Sequence, residues 1–172
     1  MVEPHYHPPG SPDELILAWL RRARESQLGH YQMATMLERR SYWLGVPVIV
    51  ISGIVGTSVF ASIAAEVVSV EAKLVVGALS VIAAILSSLQ TFFKFAERAE
   101  KHKTFGARYG AIRRELESMH AGGTAAHEPN YINVLRDKLD RLGQEAPAVS
   151  SAVHAHVLKV MREEGGAGVT AR

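Results

Sequence analysis

The sequence predicts an all-α membrane protein, in which a two-helix transmembrane hairpin carries long cytoplasmic helical extensions. Two apolar runs predict it, residues 44–65 and 74–93, neither of which contains Asp, Glu, Lys, Arg or His. Each run has about 20 residues and as a helix reaches roughly 30 Å, the thickness of a bilayer's hydrocarbon core. The alternative, a buried hairpin in a soluble bundle, would need protein around helices that are apolar on every side. The charged flanks are too short to supply that protein.

The distribution of charge predicts how the hairpin is oriented. The basic residues before the first run are Arg21, Arg22, Arg24, Arg39 and Arg40, and those that follow the second most closely are Lys94, Arg98, Lys101, Lys103, Arg108, Arg113 and Arg114. The connection, residues 66–73, has only Lys73 against Glu66 and Glu71. By the positive-inside rule both termini lie in the cytoplasm and the connection lies outside. A formal charge of +2 gives no basic field that would indicate nucleic acid.

Residues 1–10 are predicted to form a disordered tail, and residues 11–43 an amphipathic cytoplasmic helix. Ser11 is the expected helix cap, with Glu14 placed to close a capping box. Tyr42 and Trp43 abut the first span, where amphipathic rings favour the headgroup layer, so both are predicted interface anchors. Pro47, at the beginning of the first span, predicts a kink or break near residues 44–47.

Both spans, residues 44–65 and 74–93, carry faces of small residues. The first span has a predicted helix-packing face of Gly53, Thr57 and Ala61. The second has a hydroxyl-rich face within about a quarter of its circumference, formed by Gly77, Ser80, Ala84, Ser87, Ser88 and Thr91. The larger residues opposite are expected to face lipid, namely Val75, Leu79, Ile82, Leu86, Leu89 and Phe93. The hydroxyl-rich face has two interpretations, helix packing or the lining of a narrow wet path, and the sequence leaves both open.

Beyond the second span, residues 94–121 are predicted to continue the same helix into the cytoplasm, ending at Gly122-Gly123. Apolar residues spaced four and three apart form a heptad-like seam, made of Phe105, Tyr109, Ile112, Leu116 and Met119. Its partner is either the helix before the first span or a neighbouring subunit, so the seam is a candidate oligomer contact. Residues 128–164 predict two further helices, the first ending at Gly143 and the second opening at Pro147, before a disordered tail at 165–172.

No catalytic signature occurs in the chain. There is no phosphate-binding glycine loop, no H-E-x-x-H, no G-x-S-x-G and no cysteine. The pairs His5 and His7, and His154 and His156, lack a third ligand or a shared helix face, so neither predicts a metal site. The spans keep no ionisable residue, which an ion-coupled transporter would be expected to have. The sequence therefore predicts a protein that is not an enzyme and has no cofactor.

Four stretches together carry a resemblance to a known family. They are Arg39-Arg40-Ser41-Tyr42-Trp43 before the first span, Phe95-Ala96-Glu97-Arg98-Ala99-Glu100-Lys101-His102 after the second, Tyr109-Gly110-Ala111-Ile112-Arg113-Arg114-Glu115-Leu116, and Glu145-Ala146-Pro147. With the short external connection, this layout resembles the SLATT domain, a two-transmembrane effector domain associated with bacterial nucleotide-signalling systems. The resemblance covers roughly residues 15–161, nearly the whole chain.

The resemblance implies a pore-forming or membrane-perturbing effector in antiviral defence. The expected function is that of a stand-alone effector that forms homo-oligomers and permeabilises the inner membrane in an abortive-infection response. The expected partners are membrane lipid, further copies of the chain, and a nucleotide second messenger or its synthase or sensor encoded nearby. The alternative is a non-conducting membrane anchor or scaffold that recruits a cytoplasmic partner.

Overall fold

A computed structural model describes residues 7–64, 69–122 and 129–169 of the chain. Its helices are α1 Pro12–Ala64, α2 Val70–Phe93, α3 Phe95–Ala121, α4 Pro129–Glu145 and α5 Ser151–Val169. The all-α prediction is confirmed, with two helices long and apolar enough to cross a membrane. The chain divides into two compact units: Thr35–Ala99, the membrane unit, and Met1–Ala34 together with Glu100–Arg172, the helical unit.

Helix α1 begins with a variant of the predicted capping box. The hydroxyl Oγ of Ser11 accepts a hydrogen bond from the backbone N–H of Glu14 at 3.2 Å. The carboxylate of Glu14 accepts from the backbone N–H of Gly10 at 2.7 Å, one residue earlier than in the standard box. Two donors at the beginning of the helix are thereby satisfied.

Helix α1 runs unbroken through Pro47, so the break predicted at residues 44–47 is absent. A proline inside a helix removes the hydrogen bond to the carbonyl four residues earlier, here that of Trp43. Every other backbone group in an apolar span depends on its intrahelical partner, because the bilayer core offers no water to replace it. Continuing the helix past one lost bond therefore leaves fewer unsatisfied groups than breaking it there.

Helix α2 begins at Val70, four residues before the predicted start of the second span at residue 74. Ser69 is its N-cap, and the Ser69 hydroxyl accepts a hydrogen bond from the Ala72 N–H at 3.3 Å. Glu71, predicted to lie in the connection, is therefore in the first turn of α2. A negative charge there interacts favourably with the helix dipole and stabilises the helix. The remainder of the predicted connection, residues 66–68, lies outside the described residues.

A single residue, Lys94, separates α2 from α3, so the predicted continuation of the second span is interrupted at its first residue. Lys94 has φ 47° and ψ 41°, the left-handed conformation, and its N–H donates to the Gln90 carbonyl at 3.2 Å. Its own carbonyl accepts from the Arg98 N–H at 3.0 Å, which begins the next helix. For a residue other than glycine this conformation costs roughly 1–2 kcal/mol, and no glycine or proline marks the position in the sequence.

The C-terminal helices also differ in their bounds from the prediction. Helix α4 runs two residues past Gly143 to Glu145. Ser150 caps α5 in place of the predicted Pro147, because its hydroxyl accepts from the Val153 N–H at 3.4 Å. Helix α5 continues to Val169, so the tail predicted from residue 165 is helical as far as that residue. Residues 170–172 and the predicted tail residues 1–6 lie outside the described residues.

The seam residues of α3 lie in the core of the helical unit. All five are at most 8% exposed: Phe105, Tyr109, Ile112, Leu116 and Met119. They form one buried cluster with Ile16 and Ala23 of α1 and Leu135 and Leu142 of α4. The helix before the first span is therefore their partner within the chain. The seam is thus filled largely within one chain, and its interpretation as an oligomer contact stays a prediction.

Two glycines of α3 allow α1 and α3 to approach closely within the helical unit. A Cβ placed on Gly106 would lie 3.1 Å from the ring of Tyr31, and one on Gly110 would lie 2.6 Å from Nε2 of Gln27. The second distance is shorter than real Cβ contacts allow, so Gln27 would have to move. Neither glycine belongs to a pattern that the sequence alone marks as a packing contact.

Candidate functional site

The two spans of the membrane unit each have one half-buried line of residues. In α1 this line is Leu44, Val48, Ile51, Val55 and Ser58, and in α2 it is Val76, Leu79, Ala83, Leu86 and Gln90. Both lines alternate spacings of three and four residues, the pattern of helices that pack nearly parallel. These lines mark the faces on which the spans pack within the hairpin. Leu79 and Leu86, expected to face lipid, belong to this contact.

The small-residue faces lie outside the contact between the two spans. All six hydroxyl-face residues of α2 are exposed: Gly77, Ser80, Ala84, Ser87, Ser88 and Thr91. The α1 residues Gly53, Thr57 and Ala61 are exposed as well. A Cβ added at Gly53 or Gly77 would meet nothing within 4 Å. The hairpin alone therefore leaves both faces open.

Three of the four hydroxyls on the exposed face of α2 bond to their own helix. Ser80 donates to the Val76 carbonyl at 2.8 Å, Ser88 to the Ala84 carbonyl at 2.8 Å, and Thr91 to the Ser87 carbonyl at 3.1 Å. Because the donors of these three residues are used, their oxygen lone pairs are what they present outward. These three side chains can lie against another helix or against water and cations without an unsatisfied donor.

Gln90 is a polar residue of the second span that was not among the predicted site residues. It is half-buried, and its amide nitrogen lies 3.2 Å from the position that a Cβ on Gly45 would occupy. The missing side chain at Gly45 therefore makes room for the amide beside the backbone of α1. The sequence does contain a signal for this contact. A large amide lies one turn before the end of the second span, and a glycine lies at the matching level of the first.

The predicted interface anchors are exposed at the membrane unit's surface. Tyr42 and Trp43 are each 71% exposed, as expected for rings that contact lipid headgroups rather than protein. The exposed apolar side chains of the spans include Ile49 at 73%, Phe60 at 76% and Phe92 at 80%. Such rings and aliphatic chains are stable on this surface only against an apolar medium or another protein.

The helical unit contains a buried histidine pair. Nδ1 of His30 on α1 lies 2.9 Å from Nδ1 of His102 on α3, and each side chain is 3% exposed. The His30 ring stacks on Tyr109 at 5.5 Å and on Phe105 at 5.8 Å between centroids. A hydrogen bond between two Nδ1 atoms needs one donor and one acceptor, so at least one of the two rings is neutral. Both histidines occupy apolar positions of their helices, which is the sequence signal for burial.

Burial lowers the pKa of His30 to about 4, and the neighbouring His102 contributes to the decrease as the second cause. Charged or titratable groups on the packed elements include Glu25 on α1, Lys103 on α3, Glu145 at the end of α4 and His154 on α5, besides Tyr109. Glu25 pairs with His154 at 3.4 Å, and Glu145 with Arg108 at 3.3 Å. Carboxylates of α1 and α4 therefore have basic partners in the helical unit.

The histidine pair predicts an acid-labile fold. The unfolded His30 binds a proton near pH 6.5 and the folded one only near pH 4, so the free energy of unfolding should fall as pH decreases through this window. The loss should be at most about 3 kcal/mol. Denaturant titrations of the detergent-solubilised protein at pH 7, 5.5 and 4.5 would measure it. The variant His30→Leu/His102→Leu should flatten the profile and the exposed His156→Gln should not; equal slopes in all three proteins would contradict the assignment.

Neither unit shows a candidate metal centre among the residues that the structure describes. No group of three His, Cys, Asp or Glu side chains is close enough there to hold a metal ion. The histidine pair supplies two nitrogens without a third ligand, whereas structural and catalytic zinc sites use at least three protein ligands. The candidate functional site is therefore the pair of exposed small-residue faces on the hairpin, because no contact within the described part of the chain covers them.

The chain matches the model of a protein family. The family described as "SMODS and SLOG-associating 2TM effector domain family 4" matches residues 19–152, which include both spans and most of the helical unit. No curated protein matches the chain. No solved structure matches it.

Proposed function

Because the chain belongs to family 4 of the SMODS and SLOG-associating two-transmembrane effector domains, we propose that several copies assemble in the bacterial inner membrane and permeabilise it in an antiviral response. The observation that carries this proposal is the open hydroxyl face of α2, which the contact within the hairpin does not use. One hairpin cannot enclose a pore. Assembly through the remaining faces can bring the hydroxyl faces of several copies together around a common path.

The chemistry of this face supports a wet path as well as a contact. Hydroxyls whose protons are bound to the helix backbone leave oxygen atoms as acceptors, which can solvate water and cations. The small side chains also suit close helix packing, so lining and packing remain the two roles proposed for Ser80, Ser87 and Thr91. The face of Gly53, Thr57 and Ala61 on α1 is proposed as the packing surface between copies.

The helical unit has its own buried core, and we propose that the trigger acts there. The family description associates the domain with SMODS and SLOG domains. A nucleotide second messenger, or its synthase or sensor encoded nearby, is therefore the proposed partner. The trigger would bind to exposed surface of the helical unit, since its apolar seam is already filled.

The membrane potential is the quantity that tests this function. The full chain is expressed together with its neighbouring operon genes, and a potential-sensitive dye is followed after the trigger. The potential is expected to collapse within the time in which growth stops. An unchanged potential under every trigger condition would contradict permeabilisation. A protein limited to residues 35–99 tests the scaffold alternative, because loss of the growth phenotype with intact insertion and assembly would favour recruitment of a partner.

The topology of the hairpin follows from its flanking charges and is testable separately. Reporters fused before Met1 and after Arg172 are expected to give cytoplasmic signals, and an epitope inserted between Glu66 and Val67 should be accessible from outside. The insertion precedes Ser69, so the cap of α2 is preserved. One reporter on the opposite side would contradict the two-span arrangement.

A further inference from the structure

A groove of about 520 Å³ lies in the membrane unit, where α1 faces the junction of α2 and α3. Its lining combines two guanidinium groups with apolar side chains: Met36, Arg39, Arg40, Trp43, Leu44, Phe93 and Phe95. We propose that this groove binds one anionic phospholipid of the surrounding membrane. The phosphate lies on Arg39 and Arg40, and an acyl chain lies against the rings of Phe93 and Phe95, the aromatic wall of the groove. The inference depends on insertion of the hairpin and is independent of conduction.

The aromatic wall exists because of the left-handed residue between the two helices. In an unbroken helix Phe93 and Phe95 would point about 200° apart. With Lys94 at φ 47°, the two rings instead stack at 5.1 Å between centroids, with their planes 15° apart. The phenyl ring of Phe92 meets that of Phe93 edge-on at 5.3 Å. The strained conformation of Lys94 thus gives a continuous ring surface at the end of the second span, which suits a hydrocarbon chain.

The charges at this level favour an anion. Arg39 and Arg40 are exposed, and neither makes an ion pair or hydrogen bond with any residue that the structure describes. Lys94 contacts Glu97 at 3.5 Å, but both side chains are well exposed and this pair is weak. Two unpaired guanidiniums beside an apolar wall match a lipid phosphate above its acyl chain, since arginine binds phosphate in a bidentate manner.

The groove suits a lipid better than a soluble phosphate compound, because it lies at the level of the membrane surface once the spans are inserted. The groove's lining includes Trp43, which is 71% exposed, and Phe93, which ends the apolar second span. Both rings lie where the hydrocarbon of the membrane meets its headgroups if the spans are inserted. Juxtamembrane arginines gain about 1 kcal/mol each from an anionic membrane surface, and a fitted groove adds contact with one particular molecule.

Trp43 provides the probe for the test. The chain has two tryptophans, so a full-length Trp19→Phe protein has Trp43 as its only tryptophan. It is reconstituted into phosphatidylcholine vesicles in which a small fraction of either phosphatidylglycerol or phosphatidylcholine is brominated on its acyl chains. Quenching of Trp43 then reports how often each lipid occupies the groove. We expect an apparent affinity for the anionic lipid at least about fivefold higher.

Matched variants separate a site from a general attraction. Arg39→Gln/Arg40→Gln should abolish the preference, and Arg21→Gln/Arg114→Gln, which removes the same charge from exposed positions of the helical unit, should retain it. Equal quenching by the two lipids, or equal loss of preference in both double variants, would overturn the proposal. Abolition of the preference by 10 mM inorganic phosphate at constant ionic strength would overturn it too, because the site would then bind free phosphate.

Discussion

Replacing Ser87 with leucine is expected to reduce trigger-dependent dye leakage at least about tenfold, because a leucine side chain would narrow and dry a hydroxyl-lined path. Ser87 is exposed on α2, and its carbonyl, which accepts the Thr91 hydroxyl, is unaffected by a change of side chain. The helix itself should therefore keep its structure. Leakage of a small dye from cells and chemical crosslinking of the membrane fraction are measured on the same protein.

Ala78→Leu is the matched control for Ser87→Leu. Ala78 is exposed and lies nine positions earlier, which at about 100° per residue is half a turn away. A leucine there should enter lipid and leave both leakage and crosslinking unchanged. If the hydroxyl face packs against another copy, Ser87→Leu would instead overfill a contact, at a cost of about 1–3 kcal/mol, and reduce crosslinking. Normal leakage with intact crosslinking would exclude this face from the path.

Leu116→Ala is expected to lower the free energy of unfolding of the helical unit by about 2–5 kcal/mol. Leu116 is 0% exposed and lies in the cluster that joins α1, α3 and α4. Truncation removes apolar contacts on every side and leaves a cavity that helices already in contact cannot easily close. Denaturant unfolding of the detergent-solubilised protein, followed by circular dichroism, would measure the loss.

The control for Leu116→Ala is Leu158→Ala on α5, where the side chain is 36% exposed. Its effect should be clearly smaller for the same chemical change. The loss in Leu116→Ala should also be independent of protein concentration, because the seam is filled within one chain. A loss that disappears at high protein concentration would show that the seam is a contact between subunits after all.

The sequence predicted the elements whose signal lies in composition over many residues. Two runs without charge predicted the spans, and four-three spacing predicted the buried face of α3 from Phe105 to Met119. The sequence also predicted where helix α1 begins, from its cap at Ser11. The family resemblance, carried by short stretches from Arg39 to Pro147, is confirmed by the family match over residues 19–152.

The features that the sequence did not predict depend on partners distant in the chain or on a single backbone angle. Whether the seam would meet α1, α4 or another subunit depended on tertiary packing, which spacing alone does not specify. The left-handed conformation of Lys94 breaks a helix without glycine or proline, so no local signal existed. The face on which the spans meet includes Leu79 and Leu86, because large side chains fill this contact while the small ones remain open.

Cysteine accessibility is the most direct measurement of the central claim, that the hydroxyl face of α2 lines a water-filled path in the active assembly. The chain contains no cysteine, so Ser80→Cys, Ser87→Cys and the lipid-facing Ile85→Cys each introduce one thiol. Water-soluble reagents modify thiols only where water supports the thiolate. After triggering, labelling at positions 80 and 87 should be at least about tenfold faster than at position 85, which lies only about 3 Å from position 87 along the helix. Equally slow labelling at all three positions, in cells whose membrane potential has collapsed, would contradict the claim.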